Sequence, residues 1–165
     1  MIGISKLYCG TISEGDVLRY GRGKDLPANL LQFAKDKKPI VVWNSLQKCN
    51  LKCVHCYINA DDKRYKDELT TKEAKKMIKD LAEYQVPVFL FSGGEPVIRK
   101  DLFELADYAR ESGMRVVLST NGTLITEEIA GKLKASGFSY IGISLDGIGE
   151  VNDKFRGVKG AFEKA

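Results

Sequence analysis

The chain has 165 residues, of which 44% are hydrophobic, 29% charged and 9% aromatic. That length suits one domain with a sizeable core, and the composition excludes a disordered polymer, a collagen-like repeat and a disulfide-stapled miniprotein. Lys and Arg number 26 against 22 Asp and Glu, a net charge of +4, which is too small an excess for the basic stripe of a nucleic-acid binder.

The start, Met1 to Gly10, lacks the long apolar segment of a signal peptide. The longest apolar run, near Val86 to Phe91, is far shorter than a membrane span. We read the protein as cytoplasmic, with no membrane or nucleic-acid partner. Residues 1–38 read as an N-terminal extension with a short helix around 28–35, and residues 39–165 as the main domain.

In chain order, the β-branched run Pro39 to Asn44 reads as a buried strand. The cysteine segment follows, then a polar loop from Asp61 to Glu68. Thr70 and Glu73 have the spacing of a capping box, and Ala74, Met77, Ile78, Leu81 and Ala82 recur at helical spacing behind it. Val86 to Phe91 is the second strand, closed by Ser92-Gly93-Gly94-Glu95-Pro96. Asp101 and Glu104 are placed to cap a helix whose face is Leu102, Leu105, Ala106 and Ala109, with Gly113 ending it in a left-handed conformation. Arg115 to Ser119 is the third strand, followed by Thr120-Asn121-Gly122. Thr126 opens a helix carrying Ile129, Ala130 and Leu133, and Gly137 ends it. Ser139 to Leu145 is the fourth strand, followed by Asp146-Gly147, and residues 160–165 read as the first turns of a fourth helix.

This alternation predicts an α/β fold with a parallel sheet and right-handed crossovers. Four βα units do not close a barrel, so the expected architecture is a partial parallel (β/α) barrel, the N-terminal part of a longer protein. The Gly-rich and polar segments all follow strands, which puts them on the rim where such folds bind ligands.

The chemistry lies in Cys49-Asn-Leu-Lys-Cys53-Val-His-Cys56-Tyr57. Three thiolates at C-x3-C-x2-C spacing can hold three irons of a 4Fe-4S cluster, leaving one iron open. Two other readings stay open on spacing alone: zinc held by these cysteines with His55 or Cys9, and a redox pair at Cys53 and Cys56. Each rim segment also has a plain structural reading. Gly93-Gly94, Asn121-Gly122 and Asp146-Gly147 are ordinary turn dipeptides, Arg156 is equally at home as a solvated charge, and Cys9 as a small buried residue.

Taken with these motifs in order, the chain resembles the radical S-adenosylmethionine superfamily, in the branch that carries auxiliary clusters. His55 stands where that signature has an aromatic residue. The resemblance covers about residues 40–157. It implies that Cys49, Cys53 and Cys56 ligate a 4Fe-4S cluster whose open iron chelates S-adenosylmethionine. It further implies that Gly93, Gly94 and Glu95 meet the methionine ammonium, and that Ser119, Thr120 and Asn121 form the polar end of the third strand. Ser144 and Asp146 would lie near the ribose and methionine, Arg156 would pair with the methionine carboxylate, and His55 would lie against the adenine. The cluster would donate one electron, taken from a ferredoxin or flavodoxin, and a 5′-deoxyadenosyl radical would result. A partly exposed cluster implies an anaerobic setting.

The N-terminal segments around Met1–Gly10, Leu18–Arg22 and Leu30–Phe33 are similar to radical enzymes of the alternative haem pathway, which implies a tetrapyrrole substrate. Arg19, Arg22 and Lys24 are candidates for its carboxylates, with a solvated loop as the plainer reading. A peptide maturase built on the same core and a non-catalytic zinc module are the other function classes.

Overall fold

The computed structural model describes residues 38–63 and 65–165. Cys9, Arg19, Arg22, Lys24 and the helix expected around 28–35 lie outside the described residues. The unit Pro39–Ala165 holds four strands: β1 (Val41–Asn44), β2 (Val88–Ser92), β3 (Arg115–Thr120) and β4 (Tyr140–Ile143). They form one parallel sheet in the order β1-β2-β3-β4. Among the described residues, five α-helices follow the strands: α1 (Thr71–Glu83), α2 (Leu102–Glu111), α3 (Glu127–Ala135), α4 (Glu150–Arg156) and α5 (Ala161–Lys164), with a short 3-10 turn at Pro96–Ile98 after β2. Among the described residues, no helix is long and apolar enough to cross a membrane.

One face of the sheet packs on the helices. Phe89, Phe91, Val116 and Leu118 point into a core that takes Ala74 and Ile78 from α1, Leu102, Leu105, Ala106 and Ala109 from α2, and Leu133 from α3. Trp43 packs its ring against Phe89 and Phe91. Along β1 the burial alternates, so Val42 and Asn44 turn to the opposite, open face.

Helix starts follow the expected cap chemistry at two sites. Thr70 and Glu73 form a full capping box on α1, and Thr126 caps α3 by accepting from Ile129 N–H. The third start differs. Asp101 occupies the N-cap of α2 without a side-chain cap bond, because its carboxylate accepts from the Thr71 hydroxyl at 2.7 Å and pairs with the Arg99 guanidinium. The residue ties two helices together instead of ending one.

Beyond β3 the sequence reading needs two corrections. β4 is shorter than Ser139 to Leu145, and α4 intervenes before the turn expected to open the fourth helix, so residues 161–164 belong to a fifth segment. α4 carries no apolar stripe toward the core: it buries Asn152 and Arg156 and leaves Val151 and Phe155 exposed. Hydrophobic periodicity has nothing to detect in such a helix.

Candidate functional site

The three thiols are free and stand on an irregular loop directly after β1. The loop is fastened on several sides. Its first stretch, residues 45–48, pairs with the end of β2: Ser45 N–H donates to Ser92 O, Gly94 N–H to Leu46 O, and Glu95 N–H to Lys48 O, at 2.8–2.9 Å. This close approach explains Gly93-Gly94. A Cβ on Gly94 would stand 2.6 Å from Gln47 O and closer still to Lys48 O, and Gly93 has φ +126°. Cys49 and Leu51 pack on Ala161 in a small apolar cluster with Cys53, Ala60 and Val158.

The third fastening comes from the end of α4. Lys52 N–H donates to Arg156 O at 3.0 Å and Val54 N–H to Phe155 O at 2.9 Å. Gly157, in the left-handed region at φ +68°, ends α4 where any Cβ would collide with Lys52 O.

Glu95 is fully buried. Its carboxylate accepts from Val97 N–H (3.1 Å), the Thr120 hydroxyl (2.7 Å) and Asn121 N–H (2.8 Å). Three of its roughly four acceptor positions are thus occupied by the protein. Burial pushes its pKa up, opposed by the donors on Asn121, Thr120 and Val97. The residue joins the end of β2 to the end of β3. Asn121 extends the link: its Nδ2 donates to Asn50 Oδ1 at 2.9 Å and reaches Cys49 Sγ at 3.8 Å. Thr120, legible from sequence only as part of a strand end, is the hydroxyl that completes this network.

From β4 comes the other side. Ser144 N–H donates to Thr120 O at 3.0 Å, and Asp146 N–H donates to Asn152 Oδ1 at 2.9 Å. Asp146 Oδ2 lies 2.9 Å from Arg156 Nε, off line for a hydrogen bond, so the contact is an ion pair. The same oxygen is 3.4 Å from His55 Nε2, and the His55 ring meets Phe155 edge-on at 6.0 Å. Arg156 Nη1 reaches Cys53 Sγ at 3.8 Å. Tyr57, which follows the last cysteine, is exposed and donates to Asn44 Oδ1 at 2.8 Å. Sequence reasoning did not single out Asn44 or Asn152; their two pairings, Tyr57 with Asn44 and Asp146 with Asn152, span 13 and 6 residues across irregular backbone, which no periodic pattern encodes.

Every residue expected at the site from Cys49 to Arg156 therefore belongs to one connected patch at the carboxyl ends of the strands, with Ser119 one residue inside β3. The sulfurs are met by N–H groups: Leu51 at 3.4 Å on Cys49 and Ala60 at 3.2 Å on Cys56, besides Asn121 and Arg156. Such donors suit ligated thiolates, which carry negative charge. Burial pushes the Cys49 thiol up, so metal binding is what would keep it deprotonated there. Among the described residues, no three His, Cys, Asp or Glu side chains converge on one ion-sized point. Three thiols on one loop, each met by an N–H group, are a donor set that fits an iron–sulfur cluster.

Comparison with known proteins agrees. A family model described as the radical SAM superfamily matches residues 43–165. The chain belongs to that superfamily. It is an enzyme family that uses a 4Fe-4S cluster and S-adenosylmethionine. The chain is 66% identical over its whole length to Fe-coproporphyrin III synthase of Methanosarcina barkeri, covering 42% of that protein. It is 48% identical to pre-heme d1 synthase of Dinoroseobacter shibae over 78% of the chain and 32% of the relative. Among solved structures, anSMEcpe with bound AdoMet superposes with a TM-score of 0.62 at 28% identity, over 76% of this chain and 37% of that one. The chain thus spans less than half the length of these relatives.

Proposed function

We propose that the protein containing this chain is a radical enzyme of haem biosynthesis that acts on a tetrapyrrole, removing ring acetate groups from didecarboxysiroheme to leave methyl groups. The observation that carries the cofactor part is that three thiols share one loop, each with an N–H group at its sulfur, at the rim built by the ends of β2, β3 and α4. The substrate part is supported by the 66% identity to a protein named for Fe-coproporphyrin III; a coproporphyrin carries methyl groups where the proposed substrate carries acetates.

Cys49, Cys53 and Cys56 would hold the cluster. When bound, the cluster would supply the one electron for reductive cleavage of S-adenosylmethionine, the chemistry that would generate a radical able to take hydrogen from the substrate. The protein's own residues orient and enclose. Gly93, Gly94 and Glu95 lie beside residues 46–48, next to the first cysteine, where a methionine ammonium would meet backbone carbonyls and the one acceptor position that Val97, Thr120 and Asn121 leave on the Glu95 carboxylate. Arg156 reaches the second cysteine and pairs with Asp146, while Ser144 follows β4 beside Thr120; these three would offer a guanidinium, a carboxylate and a hydroxyl to the methionine and ribose. His55 stands half-exposed beside Asp146, where it can lie against the adenine. An electron donor such as a ferredoxin or flavodoxin would supply the electron, and the reaction would belong in a reducing cytoplasm.

The test is anaerobic reconstitution of the full-length protein with iron and sulfide, reduction, and addition of S-adenosylmethionine with and without didecarboxysiroheme. Expected are about four irons on these cysteines, 5′-deoxyadenosine formation, and loss of both in Cys53→Ala. Cleavage that a tetrapyrrole leaves unaffected, and that a peptide stimulates, would overturn the substrate; tight zinc with no cluster would overturn the metal centre.

A further inference from the structure

Two of the three thiols receive a side-chain donor, and these donors come from opposite sides of the rim. On one side, the Asn121 amide is 7% exposed and its orientation is fixed. Its Oδ1 accepts both the N–H and the hydroxyl of Thr123, at 2.9 and 2.7 Å, so the NH2 group is the end that faces Cys49 Sγ. On the other side, the Arg156 side chain is 10% exposed and held by Asp146. Asp146 is placed in turn by Asn152, which is 1% exposed. The backbone bonds from Lys52 and Val54 to residues 155–156 hold the end of α4 against the cysteine loop, with Arg156 Nη1 3.8 Å from Cys53 Sγ. Cys56 differs: its donor is the backbone N–H of Ala60.

We propose that Asn121 and Arg156 are tuning residues for a cluster on Cys49, Cys53 and Cys56, each stabilising the reduced form through its contact with one thiolate sulfur. The inference rests on the metal centre proposed above. Reduction adds an electron to a centre already negative through its thiolates. An N–H dipole or a cation at the sulfur favours that added charge, more strongly in a site shielded from water. Hydrogen bonds to the sulfurs are among the factors that set cluster potentials. Arg156 on this view acts on the cluster before any cofactor is present, separately from a contact with the methionine carboxylate.

The test is a redox titration of the reconstituted full-length protein without S-adenosylmethionine, followed by electron paramagnetic resonance, for wild type, Arg156→Gln, Arg156→Lys and Asn121→Ala. Expected is a roughly tenfold fall in the equilibrium constant for one-electron reduction in Arg156→Gln, about 59 mV toward negative potential. Asn121→Ala shifts in the same direction, and Arg156→Lys, which keeps the charge, recovers part of the loss. Clusters assembled in all variants with unchanged potentials would overturn the inference and leave the metal centre standing. Wild-type protein that takes up no cluster would overturn both. Should Arg156→Gln fail to load, Asn121→Ala decides by the same titration, because it acts on a different thiolate. Failure of both to load, with native circular dichroism, would assign the two residues a structural role only and overturn the inference.

Discussion

Gly94 carries more of the site than its absent side chain suggests. It sits where the end of β2 runs against residues 46–48, and the backbone around Lys48 leads straight into Cys49. Gly94→Ala forces a methyl into two carbonyl oxygens that belong to backbone and cannot rotate away. The expected cost is at least about 2 kcal/mol, with reduced iron uptake, read by urea denaturation and iron content of the reconstituted protein; stability and iron content equal to wild type would show that the loop yields freely. At this scale the sequence was partly legible. The three cysteines and the glycine pair stand out because their chemistry is local. The inward turn of the Glu95 carboxylate onto Thr120 and Asn121 does not, since it spans 25 and 26 residues and depends on which strands become neighbours.

Elements with a local start signal are the ones sequence placed well. α1 and α3 begin at Thr70 and Thr126, whose hydroxyls accept from N3. Thr70→Ala is expected to remove about 1 kcal/mol of stability, measured by denaturant midpoint. The capping box adds a pH dependence. The Thr70 hydroxyl and then its N–H hold the Glu73 carboxyl below the usual carboxylate range. A carboxyl lowered in the folded state contributes stability above its unfolded pKa and loses it as pH falls through the folded one. The difference between wild type and Thr70→Ala therefore narrows on acidification below the ordinary Glu range; a constant difference down to strong acid would contradict this. α4 had no such signal. It starts at Gly149 without a side-chain cap and has no apolar stripe toward the core; what places it is polar, the Asn152 contact with Asp146 and the docking of Gly157 on Lys52.

For the molecule as a whole, two kinds of cohesion are set side by side. Behind the sheet is a dry core of Phe89, Phe91, Ile78, Leu102 and Leu105, all fully buried. On the rim is a loop held by scattered hydrogen bonds and by a metal centre's worth of thiols. Anything that binds only the folded loop stabilises it. Cluster loading of the full-length protein is expected to slow amide hydrogen exchange in residues 48–60 while leaving α1 unchanged; equal protection with and without cluster would show the loop to be preformed. The alternation of strands and helices made the sheet legible in advance, because periodicity reports on the core, while the rim obeys no period. The docking of the cysteine loop on the end of α4 also has a consequence for biosynthesis. Arg156 follows Cys53 by 103 residues, and ribosomes add about 5–20 residues per second. The cysteines therefore leave the ribosome roughly 5–20 seconds ahead of the segment that locks them. During that interval they are open thiols on an unfinished chain, so delivery of iron and sulfide belongs after the emergence of α4, and the nascent loop is the stage most exposed to oxidants.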